Sequence, residues 1–322
     1  MARYLLNRLV QSLIVLAVMS FVIYGLMGLM PGDPVDLMIT ADPKITSDDA
    51  ARLRELYSLD KPITERYGNW LSSALSGDLG FSRLHARPVL EILGPAMGNT
   101  VVLLGLSFLL ALAIALPAGV IAATRPYSKL DYAINAAAFA GISVPPFWLA
   151  LLLIIVFAVI LGVLPAGGMG ALSGAEGLWN NARYLVLPVA SLTIASIGGH
   201  TRYMRAAMIE TLRQDYIRTA RAKGLGEVAV VLGHGLRNAM IPVVTVIALD
   251  FGYLFSGALI TETIFAYPGM GKLIFDSIMG NDFNLALVAL LFATLLTLVG
   301  NFLADAAYVG LDPRISFREV ER

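Results

Sequence analysis

The chain has 322 residues, of which 57% are hydrophobic and only 14% are charged, and its mean hydropathy is +0.75. Soluble domains typically carry roughly 25% charged residues, so this composition indicates an exterior that faces lipid rather than water. The zero net charge argues against a nucleic-acid binder, and the absence of cysteine excludes disulfides and thiolate metal sites.

An apolar run follows Arg3 and Arg8 at the N-terminus. Its 22 residues, 9–30, carry no charge. The run exceeds the roughly 7–15 residues of a signal-peptide core and reaches the about 20 needed to cross a bilayer. We therefore predict a retained first transmembrane helix within residues 1–30.

Residues 31–98 form a long polar segment after this helix. The sequence Thr46-Ser47-Asp48-Asp49 predicts a helix start, because hydroxyls and acids favour the first turn. Apolar residues at 53–59 would form one stripe of that helix. Pro62 predicts the start of a second short helix that runs to Leu75. We expect a small helical cap outside the membrane.

The next part of the chain, 99–310, is predicted to be the transmembrane core, followed by a tail at 311–322. The span at 132–164, the third in the chain, carries Pro145-Pro146. These residues predict a kinked or broken helix, since proline removes a backbone donor. The five further spans are predicted at 100–123, 132–164, 184–199 with some extension, 240–260 and 285–303.

The distribution of lysine and arginine predicts the orientation of the six spans. With the N-terminus inside, the cytoplasmic pieces hold fourteen of these residues, and the short outer loops hold only Arg183 and Lys272. Positive charge concentrates on the cytoplasmic side of membrane proteins. We therefore expect both termini in the cytoplasm, together with the charged loop at 211–239.

That loop predicts two short helices joined at a glycine. Residues 216–223 favour a helix, Gly224 and Gly226 interrupt it, and 228–232 resume an apolar helical pattern. The resulting knob is expected to present Ala220 and Gly224 as small contact points within a charged rim, which suits a cleft on a partner. The residues assigned to it are Asp215, Tyr216, Arg218, Thr219, Ala220, Arg221, Lys223, Gly224, Leu225 and Gly226.

The loop resembles the "EAA" coupling loop of ABC importer permeases, which docks on the ATPase subunit. The family pattern is E-A-A, three residues, G, nine residues and I-x-L-P. Ala220, Gly224 and Leu236 match it, whereas the positions of the leading Glu, the second Ala, the Ile and the final Pro do not. The run DYIRTARAKGL with LRNAMIPVVT further along resembles the peptide-importer branch.

Further motifs carry this resemblance over nearly the whole chain. They are PGDPV at 31–35, LDKP at 59–62, GDLG at 77–80, SVPPFW at 143–148 and TETIFAYPG at 261–269. The chain thus resembles the first permease subunit of dipeptide, oligopeptide and nickel ABC importers. The resemblance implies an all-α integral membrane protein with about six transmembrane helices and a MetI-like fold, in the inner or plasma membrane of a prokaryote.

The resemblance also implies partners. They are a homologous second permease, two ATP-binding-cassette ATPase subunits and an extracytoplasmic substrate-binding protein. The run Gly269-Met270-Gly271-Lys272 lacks the earlier glycine and the following Ser or Thr of a phosphate loop. We therefore expect no enzyme activity in this chain, and ATP and Mg bound by the partner ATPases.

Polar residues within the predicted spans are candidates for the translocation pathway, because they are costly in lipid. Asp250 lies near the middle of the fifth span. Its carboxylate either faces a cavity and favours a cationic group such as a peptide amino terminus, or pairs with a polar group on a neighbouring helix or subunit. Asn99, Pro145, Pro146 and Ser256 are further candidates, although Asn99 also suits a capping role and Ser256 also suits close helix packing.

The three histidines are not predicted to bind a metal ion. His85, His200 and His234 lack metal-ligand spacing and are interpreted as loop or helix-end residues.

An ion-gradient-driven transporter or channel is the alternative function, and it would leave the coupling loop unexplained. The cargo stays open between a dipeptide, an oligopeptide, a nickel chelate, glutathione and an opine-like compound.

Overall fold

The computed structural model describes residues 2–29, 52, 61–169 and 175–311. Nearly all of them are helical. They form two compact units, one built on Thr100–Tyr267 and the chain from Thr297 onward, the other on Leu6–Asn99 and Pro268–Leu296. The helix start predicted at Thr46-Ser47-Asp48-Asp49 and the stripe at 53–59 lie outside the described residues.

Eleven α-helices are found in the described part of the chain, with one two-stranded antiparallel hairpin between the second and the third. In the hairpin, Phe81 lies opposite Pro88 and Ser82 opposite Arg87. Two π-helical segments, Ile154–Ile160 and Val230–Leu236, directly follow the short helices Pro146–Leu153 and Glu227–Ala229. The bounds are α1 Ala2–Met27, α2 Ile63–Leu75, β1 Phe81–Ser82, β2 Arg87–Pro88, α3 Val89–Thr124, α4 Lys129–Ser143, α5 Pro146–Leu153, α6 Ala175–Leu212, α7 Asp215–Ala222, α8 Glu227–Ala229, α9 Arg237–Ile264, α10 Met270–Met279 and α11 Phe283–Leu311.

Five of the six predicted spans overlap long apolar helices in the described part of the chain, and the third, 132–164, falls on the bent pair of α4 and α5. Among the described residues, five helical stretches are long and apolar enough to cross a membrane, and the bent pair makes a sixth if it counts as one span. Only 11% to 33% of their most apolar windows are buried inside the chain. A helix surrounded by lipid exposes apolar side chains, because the bilayer core holds no water to solvate polar groups.

The predicted break in the third span is confirmed at Pro145 and Pro146. Helices α4 and α5 meet there at an angle of 99°. Val144 and Pro145 have extended backbones, and Pro146 occupies the first turn of α5. Each residue before a proline is pushed out of the helical region, so two successive prolines end α4 and let α5 begin in a new direction.

Glycines bring α6 close to α4 in the larger unit. A Cβ on Gly198 would lie 2.3 Å from the Ala138 carbonyl oxygen, and a Cβ on Gly141 would lie 2.8 Å from the Ile194 carbonyl oxygen. Small residues at such crossings allow backbones to approach where no hydrophobic effect drives helices together. The close packing positions α6, which carries much of the candidate site.

The smaller unit contains the predicted cap helix and the hairpin. Helix α2 begins directly after Pro62, as predicted. The Tyr67 hydroxyl of α2 lies 2.6 Å from Ser20 Oγ of α1. The hairpin is held by Asp282, whose carboxylate accepts hydrogen bonds from Ser82 Oγ at 2.6 Å and from the Leu84 backbone N–H at 3.0 Å.

Candidate coupling loop and internal cavity

The candidate coupling loop is a short helix closed by a glycine turn. Helix α7 spans Asp215–Ala222. Gly224, whose φ is +79°, then turns the chain away from the helix. The Gly224 N–H donates to the Arg221 carbonyl, and the Leu225 N–H donates to the Ala220 carbonyl. These two bonds form a Schellman motif, in which a left-handed residue satisfies the last carbonyls of a helix. The predicted pattern of helix, glycine break and resumed helix is therefore confirmed, with α7 beginning one residue earlier than expected.

An ion pair joins the two sides of this glycine turn. Arg221 Nη2 donates to Glu227 Oε1 at 2.6 Å, and Arg221 Nε donates to Glu227 Oε2 at 3.1 Å. The hydrogen bonds that Arg221 donates to Glu227 raise the pKa of its guanidinium further above the ordinary value. The sequence interpretation had left Glu227 out of the site, although its position three residues after the predicted break makes such a pairing possible.

The inner face of α7 is buried within the loop itself. Ile217, Ala220 and Val230 form a small apolar cluster with Leu212. Ala220 is only 5% exposed, so the expectation that it is a surface contact point is wrong. Residues three apart share one face of a helix, and the burial of Ile217 turns Ala220 inward with it. Its small size serves packing against the returning chain.

The outer face of the loop combines charge with exposed apolar side chains. Asp215 and Arg218 form an exposed ion pair at 3.2 Å. The Thr219 hydroxyl donates to the Asp215 carbonyl, which is an intrahelical contact. Lys223 and Gly226 are also exposed. The exposed large apolar side chains are Tyr216, Leu225, Val228 and Leu232, and the last two were not assigned to the site from the sequence.

A cavity of about 440 Å³ lies in the larger unit between α3, α4, α5, α6 and α9. Its described lining includes Asp250 and Pro146, whereas Pro145 lies beside it at the bend. Asn99 belongs to the smaller unit, where its side-chain amide donates to the Pro268 carbonyl at 2.8 Å, and it is not in this lining. The side chain of Ser256 lies outside the described residues.

Asp250 lines the cavity and also has a polar neighbour. Its carboxylate is 46% exposed and lines the cavity, and its Oδ2 lies 3.3 Å from Nε2 of His200 on α6. No hydrogen bond joins these two atoms. The carboxylate therefore has a polar neighbour and keeps much of its surface available to a solute.

His200 corrects the interpretation of the histidines as loop or helix-end residues. It lies inside α6, is 6% exposed and lines the cavity. Its Nδ1 lies 3.0 Å from the Ser196 carbonyl oxygen, and its ring meets the Phe108 ring edge-on with 5.9 Å between centroids. The sequence signal for this role was present, since His200 follows a predicted apolar span that was expected to extend.

Comparison with known proteins identifies the family to which this chain belongs. Residues 115–317 match the family described as binding-protein-dependent transport system inner membrane component, and residues 1–109 match the N-terminal family of the same systems. The chain is 40% identical over 318 residues to the oligopeptide transport system permease protein AppB of Bacillus subtilis, covering 98% of this chain and all of that protein. It is 39% identical to a protein named as a peptide permease in Brucella suis, with 98% and 99% of the two chains covered.

The fold also resembles a solved structure, an inward-facing conformation of the MetNI methionine ABC transporter. The match has a TM-score of 0.54 and 19% identity, and it covers 66% of this chain and 93% of that chain. The chain therefore belongs to the binding-protein-dependent transport system inner membrane components and is an inner-membrane permease subunit of an ABC importer.

Proposed function

We propose that this permease carries peptides or peptide-like solutes and is driven by two ATPase subunits, one of which docks on the loop around Gly224. The observation that carries the coupling role is the Schellman-closed knob, which stands between two candidate membrane-spanning helices. Its exposed tyrosine, leucine and valine side chains within a charged rim have the composition of a protein interface. The peptide cargo is supported by the relatives, which are named as oligopeptide and peptide permeases.

The packing of the knob supports a role in transmitting motion. Ile217 and Ala220 of α7 are buried against Val230, and the cluster reaches Leu212 at the end of α6. The knob is thus attached to both α6 and the segment that leads into α9. A displacement of the knob by a partner would move the two helices that carry His200 and Asp250. Coupling of this kind requires that the nucleotide state of the partner favour one of two arrangements of the helices.

The remaining components complete the proposed importer. A homologous second permease would enclose the other half of the pathway, and a substrate-binding protein would deliver the solute from outside. ATP and Mg would be bound by the ATPase subunits. The knob and both chain termini would lie in the cytoplasm, in keeping with the excess of lysine and arginine on that side.

The test is purification of the tagged permease from its host in mild detergent, with Val228→Asp as the variant and Leu75→Asp as the control. Val228 is 72% exposed on the knob, and Leu75 is 81% exposed at the end of α2. We expect wild type and Leu75→Asp to retain an ATPase and vanadate-sensitive ATP hydrolysis. Val228→Asp should lose at least about tenfold of the retained ATPase, since a charge in the centre of an interface costs a few kcal/mol.

Two results would contradict the proposal. One is a Val228→Asp variant that keeps its ATPase together with solute-stimulated hydrolysis. The other is a wild-type protein that purifies without any ATPase, which would favour transport driven by an ion gradient.

A further inference from the structure

The contact between His200 and Asp250 has an unusual proton requirement. A carbonyl oxygen only accepts hydrogen bonds, so the 3.0 Å contact with the Ser196 carbonyl places a proton on His200 Nδ1. In a neutral imidazole the other nitrogen, Nε2, then carries a lone pair. That nitrogen lies 3.3 Å from Asp250 Oδ2. Two bare acceptors at this distance repel each other, and a proton held by the pair converts the repulsion into attraction.

The burial of His200 strengthens this requirement. His200 is 94% removed from solvent, and Nε2 has no hydrogen-bond partner within the described residues. Buried polar atoms are nearly always paired, so this one points to a ligand of the pair. A ligand between a lone pair and a carboxylate must donate hydrogen bonds or carry positive charge, and an ammonium group does both.

The rest of the cavity suits a small solute with a charged end. A volume of about 440 Å³ falls within the roughly 300–1,000 Å³ of ligand sites. In the described lining, α3, α4 and α5 contribute no ionisable side chain. Helix α6 contributes His200 and Arg202, and α9 contributes Asp250. The Arg202 guanidinium lies 5.3 Å from the centre of the Phe139 ring, which supports it as a second, positive pole.

We propose that the His200–Asp250 pair is a binding site for the ammonium group of the transported solute, and that this ammonium group replaces the proton held by the pair. The inference rests on the proposed peptide cargo and assigns its amino terminus to Asp250. On binding, the proton leaves His200 Nε2 for water, and the Asp250 carboxylate accepts hydrogen bonds from the ammonium group. One positive charge enters the pair and one leaves it. The pair keeps its net charge, which avoids the cost of an added charge among apolar walls.

This exchange makes transport of cationic solutes dependent on pH. A proton competes with the ammonium group, so binding weakens as the pH falls. The dependence reaches at most tenfold per pH unit for one exchanged proton. A solute without an ammonium group displaces no proton, and its transport should lack this dependence.

The experiment measures uptake into proteoliposomes that contain the whole purified importer with its binding protein. The probes are tri-alanine and N-acetyl tri-alanine, which lacks the ammonium group. Each is supplied with saturating binding protein between about pH 5.5 and 7.5. The variants are His200→Gln and Asp250→Asn. Thr124→Val is the control, because Thr124 is exposed at the end of α3, outside the cavity lining, and its hydroxyl donates to the Ile121 carbonyl of its own helix.

In wild type and Thr124→Val, we expect the tri-alanine rate to rise with pH by up to tenfold per unit relative to the acetylated peptide. His200→Gln should abolish that rise, since glutamine holds no ionisable proton. Asp250→Asn should lower the ratio of the tri-alanine rate to the acetylated rate by about tenfold, the effect of losing one charge-assisted contact of about 1.4 kcal/mol.

The outcomes separate this inference from the proposed function. An unchanged pH rise in His200→Gln would overturn the proton exchange, and an equal loss of both peptides in Asp250→Asn would overturn the ammonium site, while ATP-driven peptide import would stand in either case. If wild type imports neither peptide, the peptide cargo fails and the ammonium ligand with it.

Discussion

Arg205 of α6 donates two parallel hydrogen bonds to Asp131 of α4, from Nε to Oδ1 and from Nη2 to Oδ2, each 2.6 Å long. Asp131 is 2% exposed and also accepts hydrogen bonds from the Tyr127 backbone N–H and the Asn135 side chain. A buried carboxylate is tolerated only when its acceptors are satisfied in this way. The pair fastens the broken third span to the helix that enters the coupling loop.

Removing one partner of this pair should destabilise the protein strongly. We expect Asp131→Ala to cost about 3–5 kcal/mol, because it leaves the Arg205 guanidinium without its compensating charge. Arg205→Lys should cost less, since lysine keeps the charge and loses the paired geometry. The measurement is denaturant-dependent loss of helicity in detergent. Glu65→Gln is the control, as it breaks only the exposed pair with Lys61, and a similar cost there would contradict the argument.

Gly198 and Gly199 offer a matched test of helix packing. We expect Gly198→Ala to cost about 1–3 kcal/mol, because its Cβ would lie 2.3 Å from the Ala138 carbonyl oxygen and must push α4 away. Gly199→Ala meets nothing within 4 Å and should be neutral or stabilising by up to about 1 kcal/mol through helix propensity. Thermal unfolding of the two purified variants compares them. Equal melting temperatures would refute the close contact of α6 with α4.

The turn at Gly224 should depend on its backbone rather than on space. A Cβ on Gly224 meets nothing within 4 Å, but the φ of +79° is unfavourable for other residues. We expect Gly224→Val to cost about 1–2 kcal/mol, while Gly224→Asn is tolerated better. Gly226→Val is the control, since Gly226 has an extended backbone with φ −62° and ψ 148°. The readouts are thermal stability and ATPase retention.

The bulky variant Gly224→Trp adds a second test of the same turn. It should insert into the membrane and fail to retain an ATPase, because strain and bulk both fall on the tip of the knob. Normal solute-stimulated ATP hydrolysis in this variant would show that the tip of the knob is not part of the ATPase interface.

The pair of Arg221 and Glu227 should contribute modestly to stability. Both side chains are substantially exposed, at 43% and 62%. We expect Arg221→Glu to destabilise by less than about 1 kcal/mol, and the exchange Arg221→Glu with Glu227→Arg to recover most of it. A double-mutant cycle by chemical denaturation gives the coupling energy. A coupling indistinguishable from zero would show that the glycine turn alone positions α8.

The broken span and the knob were predictable because their causes are local. Two consecutive prolines interrupt any helix, and Gly224 followed by Gly226 ends one, whatever surrounds them. The inward position of Ala220 was not predictable in the same way. Its orientation depends on Val230, which the chain brings back against α7 only after the glycine turn.

The sequence by itself determined that this is a multi-span membrane protein with a kinked third span, a cytoplasmic-type basic loop and the motifs of an importer permease. Hydropathy, charge and backbone chemistry act over a few residues, so they can be read along the chain. Only the tertiary structure decided that His200 meets Asp250 and that Arg205 meets Asp131. Those pairs are separated by 50 and 74 positions, and helix packing through glycines such as Gly198 sets which side chains face each other.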